Sequence, residues 1–199
     1  MITTIDRNTA LVVIDLQDGI VKMNMVHPAM EIVRQSARLV GAFHQAGLPV
    51  IIVNVVPFGA PSGKVRTQAP GMPKDEVGQK QALAAMEAAG FFTIVPELGA
   101  TPGDIFITKK TWNAFYDTSL DQELKRLGVT NIVLCGIATS IGVEGTARAA
   151  HEKGYNITFA EDAMTDMLAS AHDNSFTAIF PRIGEVGTTE AIIEQLQNR

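Results

Sequence analysis

The 199-residue sequence has a single cysteine and few aromatic side chains, with one tryptophan and two tyrosines. One cysteine excludes an internal disulfide framework and any metal site built from several cysteines. No apolar run approaches the roughly 18 residues of a membrane span, and the opening MITTIDRNTA lacks the basic and then apolar layout of a signal peptide. We therefore expect a cytoplasmic protein that makes no membrane contact.

Patterns that bind phosphates and nucleic acids are also missing. The net charge is −5 and no basic cluster occurs, which argues against a nucleic-acid-binding surface. No G-x-G-x-x-G follows the first apolar run and no P-loop occurs, so a nucleotide-binding domain is the weakest alternative. The sequence indicates no metal and no cofactor. A small molecule is the expected substrate.

Short β-branched runs alternate with amphipathic stretches, which predicts parallel βα units in an α/β fold whose sheet is covered on both faces. No composition shift marks a boundary, so one domain is expected over residues 1–199. Six strands are predicted, at 10–15, 49–56, 104–110, 131–136 and 156–162, with a last strand that begins at Arg182. Helices are predicted at 28–47, 80–89, 120–127, 140–154 and 188–196.

Polar groups follow several of these strands. Asp15 ends the first strand, Lys109 and Lys110 end the third, and a glycine-containing turn at 136–140 follows the fourth. Ligands of an open parallel sheet bind at the carboxyl ends of its strands. A carboxylate, an amine and a turn that opens a helix should therefore meet in one crevice. A capping aspartate, a solvated lysine and a turn used only for packing are the simpler interpretations.

The region from 57 to 102 is rich in proline and glycine and carries only one weak helix. A segment this long beside a compact sheet is typical of a substrate lid or an oligomer contact. Its Phe58, Phe91 and Phe92, together with Trp112, are candidates for an apolar pocket wall, although each also suits the core.

Three blocks of sequence resemble the isochorismatase-like hydrolase family, the cysteine hydrolase superfamily that also contains nicotinamidases and N-carbamoylsarcosine amidases. They are ALVVIDLQDGI, ITKKTWNAFYDTSLDQEL and VLCGIATSIGVEGTARAAHEKGYNITFAEDA, in the family's order and spacing. The resemblance covers nearly the whole chain. It implies a Rossmann-like, three-layer αβα sandwich with a six-stranded parallel sheet.

The resemblance also assigns roles to residues. The acid/base aspartate of the family falls on Asp15, and its lysine, which precedes the AF pair by five residues, falls on Lys109 and not on Lys110. The family's cis peptide would join Ile137 to Ala138. That peptide turns the Ala138 N–H into an oxyanion hole, which it shares with the N–H of the residue at the helix start.

The helix-start residue departs from the family's pattern. The catalytic cysteine normally stands four residues after the alanine, and here Gly142 holds that position. A glycine offers only its backbone N–H, so a thioester mechanism is not expected. The segment VNVVPFGAPSGK also lacks the Asp and His cluster that often holds a metal in the amidase branch. Nicotinamidase activity is therefore not expected. Five neighbouring residues complete the candidate pocket: Gln17, Trp112, Phe115, Thr139 and Ser140.

The remaining nucleophile candidates have simpler explanations. Cys135 lies within the fourth strand, where a cysteine usually behaves as a small buried hydrophobe. Ser140 fits the N-cap of the following helix. His151 is expected to be solvated on a helix, and His172, within a helix after the fifth strand, could border the pocket.

Isochorismatases proper work without the cysteine, and several resemble this sequence in having glycine there. Their turn, however, carries an aromatic and a histidine where this chain has IATS, and the closest resemblance is to uncharacterised bacterial members of the family. The favoured prediction is a hydrolase that uses Asp15 and Lys109 on a small carboxylated or amide substrate, with isochorismate as one candidate. The alternative is a ligand-binding protein on an inactive scaffold. The family's habits imply a homo-oligomer, such as a dimer or tetramer.

Overall fold

The computed structural model describes residues 2–68 and 71–198. Its centre is one six-stranded, all-parallel sheet with the strand order β3-β2-β1-β4-β5-β6. The strands are β1 (Thr9–Ile14), β2 (Val50–Val55), β3 (Ile105–Lys109), β4 (Asn131–Ile137), β5 (Asn156–Thr165) and β6 (Glu185–Gly187). Because all strands run in the same direction, their carboxyl ends form a single edge of the sheet.

Helices cover both faces of this sheet. They are α1 (Asp18–Val21), α2 (Ala29–Gln45), α3 (Glu76–Ala88), α4 (Leu120–Arg126), α5 (Glu144–Glu152), α6 (Ala169–Asn174), α7 (Phe180–Ile183) and α8 (Thr189–Gln197). Apolar side chains of α2 and α8 form one core layer, and those of α4, α5 and α7 form the other. The predicted three-layer αβα sandwich is confirmed.

The central strand β1 shows why the sheet must be covered on both sides. All six of its residues are buried, and they alternate between the two cores, with Leu11 and Val13 against α2 and Val12 and Ile14 against the opposite layer. The sequence of a strand that is buried on both faces is a continuous run of apolar residues. In α2, buried residues from Ile32 to Phe43 recur at helical spacing and supply the covering stripe.

Three predicted boundaries are wrong. Strand β5 continues to Thr165 instead of ending at 162, because its pairing with β4 shifts register between Leu134 and Gly136. Arg182 lies in α7 and not in a strand, since a proline in the first turn favours the helix. Helix α3 begins at Glu76 and not at 80. Its start is fixed by the N-cap Asp75, whose carboxylate accepts a hydrogen bond from the Gly78 N–H at 2.7 Å. Within the described ranges, none of the helices combines the length and apolarity needed to span a membrane.

Candidate active site

A cavity of about 480 Å³ opens at the carboxyl edge of the sheet. Its polar lining includes Asp15 after β1, Lys109 at the end of β3 and the turn after β4. Its apolar described lining consists of Ile20, Met23, Met25, Val55, Pro57, Val65, Met72, Trp112, Ile137, Ala138, Ile141 and Met167. The sheet edge therefore brings together the carboxylate, the amine and the turn that the sequence places at three strand ends.

Asp15 and Lys109 form a buried ion pair at the inner end of the cavity. The Lys109 Nζ donates to Asp15 Oδ2 at 2.6 Å, and the two side chains are 2% and 6% exposed, respectively. The same ammonium donates to the Thr111 carbonyl at 3.1 Å. Asp15 Oδ1 is buried and has no hydrogen-bond partner among the described residues. One carboxylate oxygen is thus committed to the lysine, and the other is unpaired.

Burial sets the protonation of Asp15. Desolvation raises the pKa of its carboxyl from 3.8 to about 6, against the opposing charge and hydrogen bond of Lys109, which lower it. The backbone of Asp15 has a left-handed φ of 53°, a conformation that tends to occur at functional sites. A carboxyl of this kind can hold a proton in mildly acidic solution and can release it to a bound molecule.

The structure also separates the two adjacent lysines. Lys109 points into the sheet edge and is buried, whereas Lys110 is exposed. The pairing with Asp15 is therefore made by the lysine that the resemblance selects. Lys110 also lines the cavity, and it forms no hydrogen bond or ion pair with another described residue.

The turn after β4 is closely packed against β1. The Ile137–Ala138 peptide bond is cis, and a π-helical turn over Thr139–Val143 leads into α5. Gly136 has a φ of 119°, and a Cβ on it would lie 2.0 Å from the Ile14 carbonyl oxygen. Only glycine therefore lets β4 approach β1 this closely where the turn begins.

Gly142 faces Asp15 across a very short gap. A Cβ built on this glycine would lie 2.8 Å from Ile14 Cγ2 and 3.2 Å from Asp15 Oδ2. The Ile14 methyl thus fills space that a side chain at position 142 would need. The site is packed around a glycine, and any side chain there would have to displace Ile14 or Asp15.

Comparison with known proteins shows which family the chain belongs to. The model of the isochorismatase domain matches residues 9–191. The chain belongs to the isochorismatase family. The uncharacterized isochorismatase family protein YecD of Escherichia coli O157:H7 is 41% identical over 191 residues, which cover 96% of this chain and 97% of YecD.

A solved structure and an enzyme relative extend the comparison. The isochorismatase family protein from Burkholderia thailandensis matches with a TM-score of 0.85 and 38% identity, over 98% of each chain. The ureidoacrylate amidohydrolase RutB of Variovorax paradoxus is 28% identical over 182 residues, which cover 82% of this chain and 71% of RutB. Members of the isochorismatase family are hydrolases, so the chain is an isochorismatase-family hydrolase.

Of the five neighbouring residues predicted for the pocket, only Trp112 lies in the described lining. Gln17 is fully buried next to the lining residue Val55, where its side chain accepts from the Val55 N–H at 2.8 Å and donates to the Val55 carbonyl at 3.1 Å. Phe115 is in the core and stacks on Tyr155. Neither side chain therefore contributes to the described lining of the cavity.

Thr139 and Ser140 also lie outside the described lining. The Thr139 hydroxyl pairs with His172 Nδ1 at 2.9 Å, and the Ser140 N–H donates to Asp166 Oδ2 at 2.7 Å. The N-cap assignment of Ser140 is wrong, because Ser140 lies inside the π-helical turn and Asp166 supplies the acceptor instead. His172 is buried behind the turn and does not border the cavity among the described residues.

The single cysteine is remote from this chemistry. Cys135 is fully buried in the core layer formed with α2, and burial raises the pKa of its thiol to about 12. A thiol that is neutral and inaccessible is a poor nucleophile. The interpretation of Cys135 as a buried hydrophobe agrees with these properties. His151 is exposed on α5, as expected.

Sequence reasoning misses two features of the site. Four of the eight methionines, Met23, Met25, Met72 and Met167, line the cavity, although they come from three separate loops with no common spacing. Asp166 is 1% exposed and follows β5 at the carboxyl edge, as Asp15 follows β1. The signal for Asp166 is its place after a strand, and the early predicted end of that strand conceals it.

The long 57–102 segment contributes to the cavity, but its phenylalanines do not. Pro57, Ser62, Val65 and Met72 lie in the lining, whereas Phe58, Phe91 and Phe92 are absent from it among the described residues. Phe91 instead fills the space beside Gly19, where a Cβ would meet its ring at 1.9 Å. Among residues 2–68 and 71–198, no three His, Cys, Asp or Glu side chains form a group that could hold a metal ion.

Proposed function

We propose that this protein hydrolyses a small carboxylated substrate by acid/base chemistry at Asp15 and Lys109, without a covalent enzyme intermediate. The observation that carries the proposal is the buried Asp15–Lys109 pair facing a glycine where a nucleophile would need room. A vinyl-ether bond suits this machinery best, because its cleavage needs only a proton donor and water.

Asp15 serves as the general acid. Its carboxyl has a pKa raised to about 6 by burial and an oxygen, Oδ1, that no described residue contacts. Such a carboxyl can transfer its proton to the electron-rich terminal carbon of an enol ether. The Lys109 ammonium, held by Asp15 and the Thr111 carbonyl, stabilises the carboxylate that this transfer leaves behind.

The remaining steps regenerate the site. Protonation of the terminal carbon creates an oxocarbenium ion, and water adds to its central carbon as Asp15 takes back a proton. The resulting hemiketal collapses to a ketone and an alcohol, with a proton moving from the hydroxyl to the leaving oxygen. The backbone N–H groups of Ala138 and Gly142 are the proposed donors to oxygen atoms that gain negative charge.

Amide hydrolysis is the second candidate reaction, and isochorismate is one candidate vinyl ether. The RutB relative, named for its action on ureidoacrylate, supports the amide class. Against it, a cysteine-type acyl transfer needs an accessible nucleophile, and Cys135 is fully buried in the core layer formed with α2. An amide substrate would therefore require direct attack by water activated at Asp15.

A panel of enolpyruvyl ethers and small carboxylated amides tests the function. We expect release of pyruvate or another small acid from at least one member, and we expect Asp15→Asn to lower kcat by about 100-fold or more, since general acid catalysis contributes that much. Asp173→Asn, at an exposed aspartate, and Cys135→Ala are the controls, and both should retain activity per folded molecule.

The same panel separates an enzyme from a ligand-binding protein. Thermal stabilisation by panel compounds without any product would favour the binding alternative and contradict hydrolysis. Equal kcat values for wild type and Asp15→Asn would contradict the role of Asp15, even if turnover is observed.

A further inference from the structure

The cavity wall is largely apolar and contains several flexible side chains. Methionines from three loops meet Trp112 and Ile141 around the space in front of Asp15. Methionine side chains are flexible and polarisable, and they pack well against flat apolar groups. A wall of this kind favours a ligand whose body is apolar, such as a ring or a short hydrocarbon chain.

The charge of the cavity is positive, although the chain as a whole carries −5. Its described lining contains the three lysines Lys74, Lys109 and Lys110 and one carboxylate, Asp15. Above the pKa of Asp15, which is about 6, the carboxylate is ionised, and Lys109 and Asp15 neutralise each other within their 2.6 Å pair. The uncompensated positive charge of the lining therefore belongs to Lys74 and Lys110.

These two lysines are solvent-exposed residues of the lining, and we define the exposed part of the lining as the mouth of the cavity. Both are exposed, and the Lys74 Nζ donates to the Val65 carbonyl at 3.0 Å, which leaves donors of its ammonium for another acceptor. Lys110 forms no hydrogen bond or ion pair with a described residue. The positive charge thus marks the mouth, and the neutral pair marks the inner end.

We propose that the cavity selects an anion with an apolar body, whose carboxylate lies at the mouth on Lys110 and Lys74 and whose apolar part contacts the methionine wall. The inference rests on the proposed function only in placing the reacting bond next to Asp15.

In this orientation the two functional groups of the ligand lie at opposite ends of the cavity. The anchoring carboxylate points outward, and the bond that breaks points inward.

Calorimetric binding of three probes tests this selection without any turnover. Phenylacetate is an anion with an apolar body, phenylacetamide has the same shape without the charge, and acetate has the charge without the body. We expect phenylacetate to bind at least about tenfold more tightly than either of the others. Equal affinity for phenylacetamide would overturn the role of charge, and equal affinity for acetate would overturn the role of the apolar body.

Two lysine variants test the placement of the carboxylate. Lys110→Gln and Lys74→Gln should each weaken phenylacetate binding about threefold, as expected for exposed charge pairs, and should leave phenylacetamide binding unchanged. Lys80→Gln, at an exposed lysine of α3 outside the described lining, is the matched control. Unchanged phenylacetate affinity in both variants would overturn the proposed orientation.

The outcome is independent of the hydrolysis panel. Lysine-dependent binding of phenylacetate with no product from any panel member would contradict the proposed function and support this inference. Product formation together with equal binding of phenylacetate and phenylacetamide would support the function and overturn the inference.

Discussion

At the inner end of the cavity, Asp15 and Lys109 are almost completely buried and joined by a 2.6 Å hydrogen bond, whereas at the mouth Trp112 is 62% exposed. The inner residues are fixed by the ends of β1 and β3, which lie in one sheet. The mouth is formed by loops, including the 57–102 segment. In the proposed mechanism, the buried inner end performs the reaction and the loop-formed mouth recognises the ligand.

This difference in burial predicts which substitutions lower the stability of the protein and which lower its affinity for a ligand. At the inner end, each group is desolvated and depends on its partner, so removing one leaves the other uncompensated. At the mouth, side chains keep contact with water, and their loss changes ligand affinity more than stability. Paired variants at neighbouring positions can measure the contrast directly.

The adjacent lysines provide the largest expected contrast. Lys109→Met should cost about 3 kcal/mol of unfolding free energy at pH 8, because the buried Asp15 carboxylate loses its counter-charge. Lys110→Met, at the exposed neighbour, should change stability by less than about 0.5 kcal/mol. Denaturant unfolding of the two variants checks the contrast.

The same experiment has a predicted pH dependence. The pKa of Asp15 is raised by burial, so the folded state binds a proton more tightly than the unfolded state, and stability falls as pH rises from about 4 to about 6. Without Lys109 the pKa should rise further, since the lysine lowers it. The cost of Lys109→Met should therefore shrink at pH 5. A cost that is equal at pH 5 and pH 8 would contradict the pairing.

Two glycine-to-alanine substitutions, which should have smaller effects than the loss of Lys109, compare the packed inner end of the cavity with an open position on α2. Gly142→Ala should destabilise the protein by about 1–3 kcal/mol and reduce kcat, because its Cβ would meet Ile14 Cγ2 at 2.8 Å and Asp15 Oδ2 at 3.2 Å. Gly41→Ala, in α2 with no atom within 4 Å of the new Cβ, should instead stabilise by roughly 0.5–1 kcal/mol. A neutral Gly142→Ala would show that the inner end is not tightly packed.

Substitutions at the mouth should change the affinity for substrate and leave the rate of the chemical step unchanged. Trp112→Ala should raise KM roughly fivefold, equivalent to about 1 kcal/mol, with kcat nearly unchanged. Tyr116→Ala removes another exposed aromatic that is absent from the described lining, and it should alter neither constant. Steady-state kinetics on the substrate found in the panel provide the test. A fall in kcat without a rise in KM would move Trp112 from recognition to chemistry.

The parts of the fold that follow regular patterns could be predicted from the sequence. The apolar run of β1 and the helical stripe of α2 each reflect burial against a neighbour, so the sheet and its two layers follow from them. Strand β5 extends beyond its apolar run through a register shift that depends on pairing with β4. No local pattern encodes such a shift, so the strand end and Asp166 beyond it were hidden.

In the candidate site, too, some residues could be predicted from the strand pattern, whereas others depend on tertiary packing. Asp15 and the adjacent Lys109 and Lys110 could be found because parallel strands present their carboxyl ends at one edge, whereas the choice of Lys109 depended on the resemblance to the family. Gln17 and Phe115 lie outside the described lining because the direction of a side chain after a motif depends on tertiary packing. The methionine wall was missed because its members share only their position in space. Contacts among irregular loops carry no periodic signal.

The pH dependence of kcat/KM tests the central claim, that a protonated Asp15 and not a thiol performs the chemistry. Because burial raises the pKa of Asp15 to about 6, we expect kcat/KM to be constant below that pH and to fall tenfold per pH unit above it. The fall should persist in Cys135→Ala. A rate that instead rises with pH above 6 would show that the Asp15 carboxylate acts as a base, and it would contradict the proposed acid mechanism.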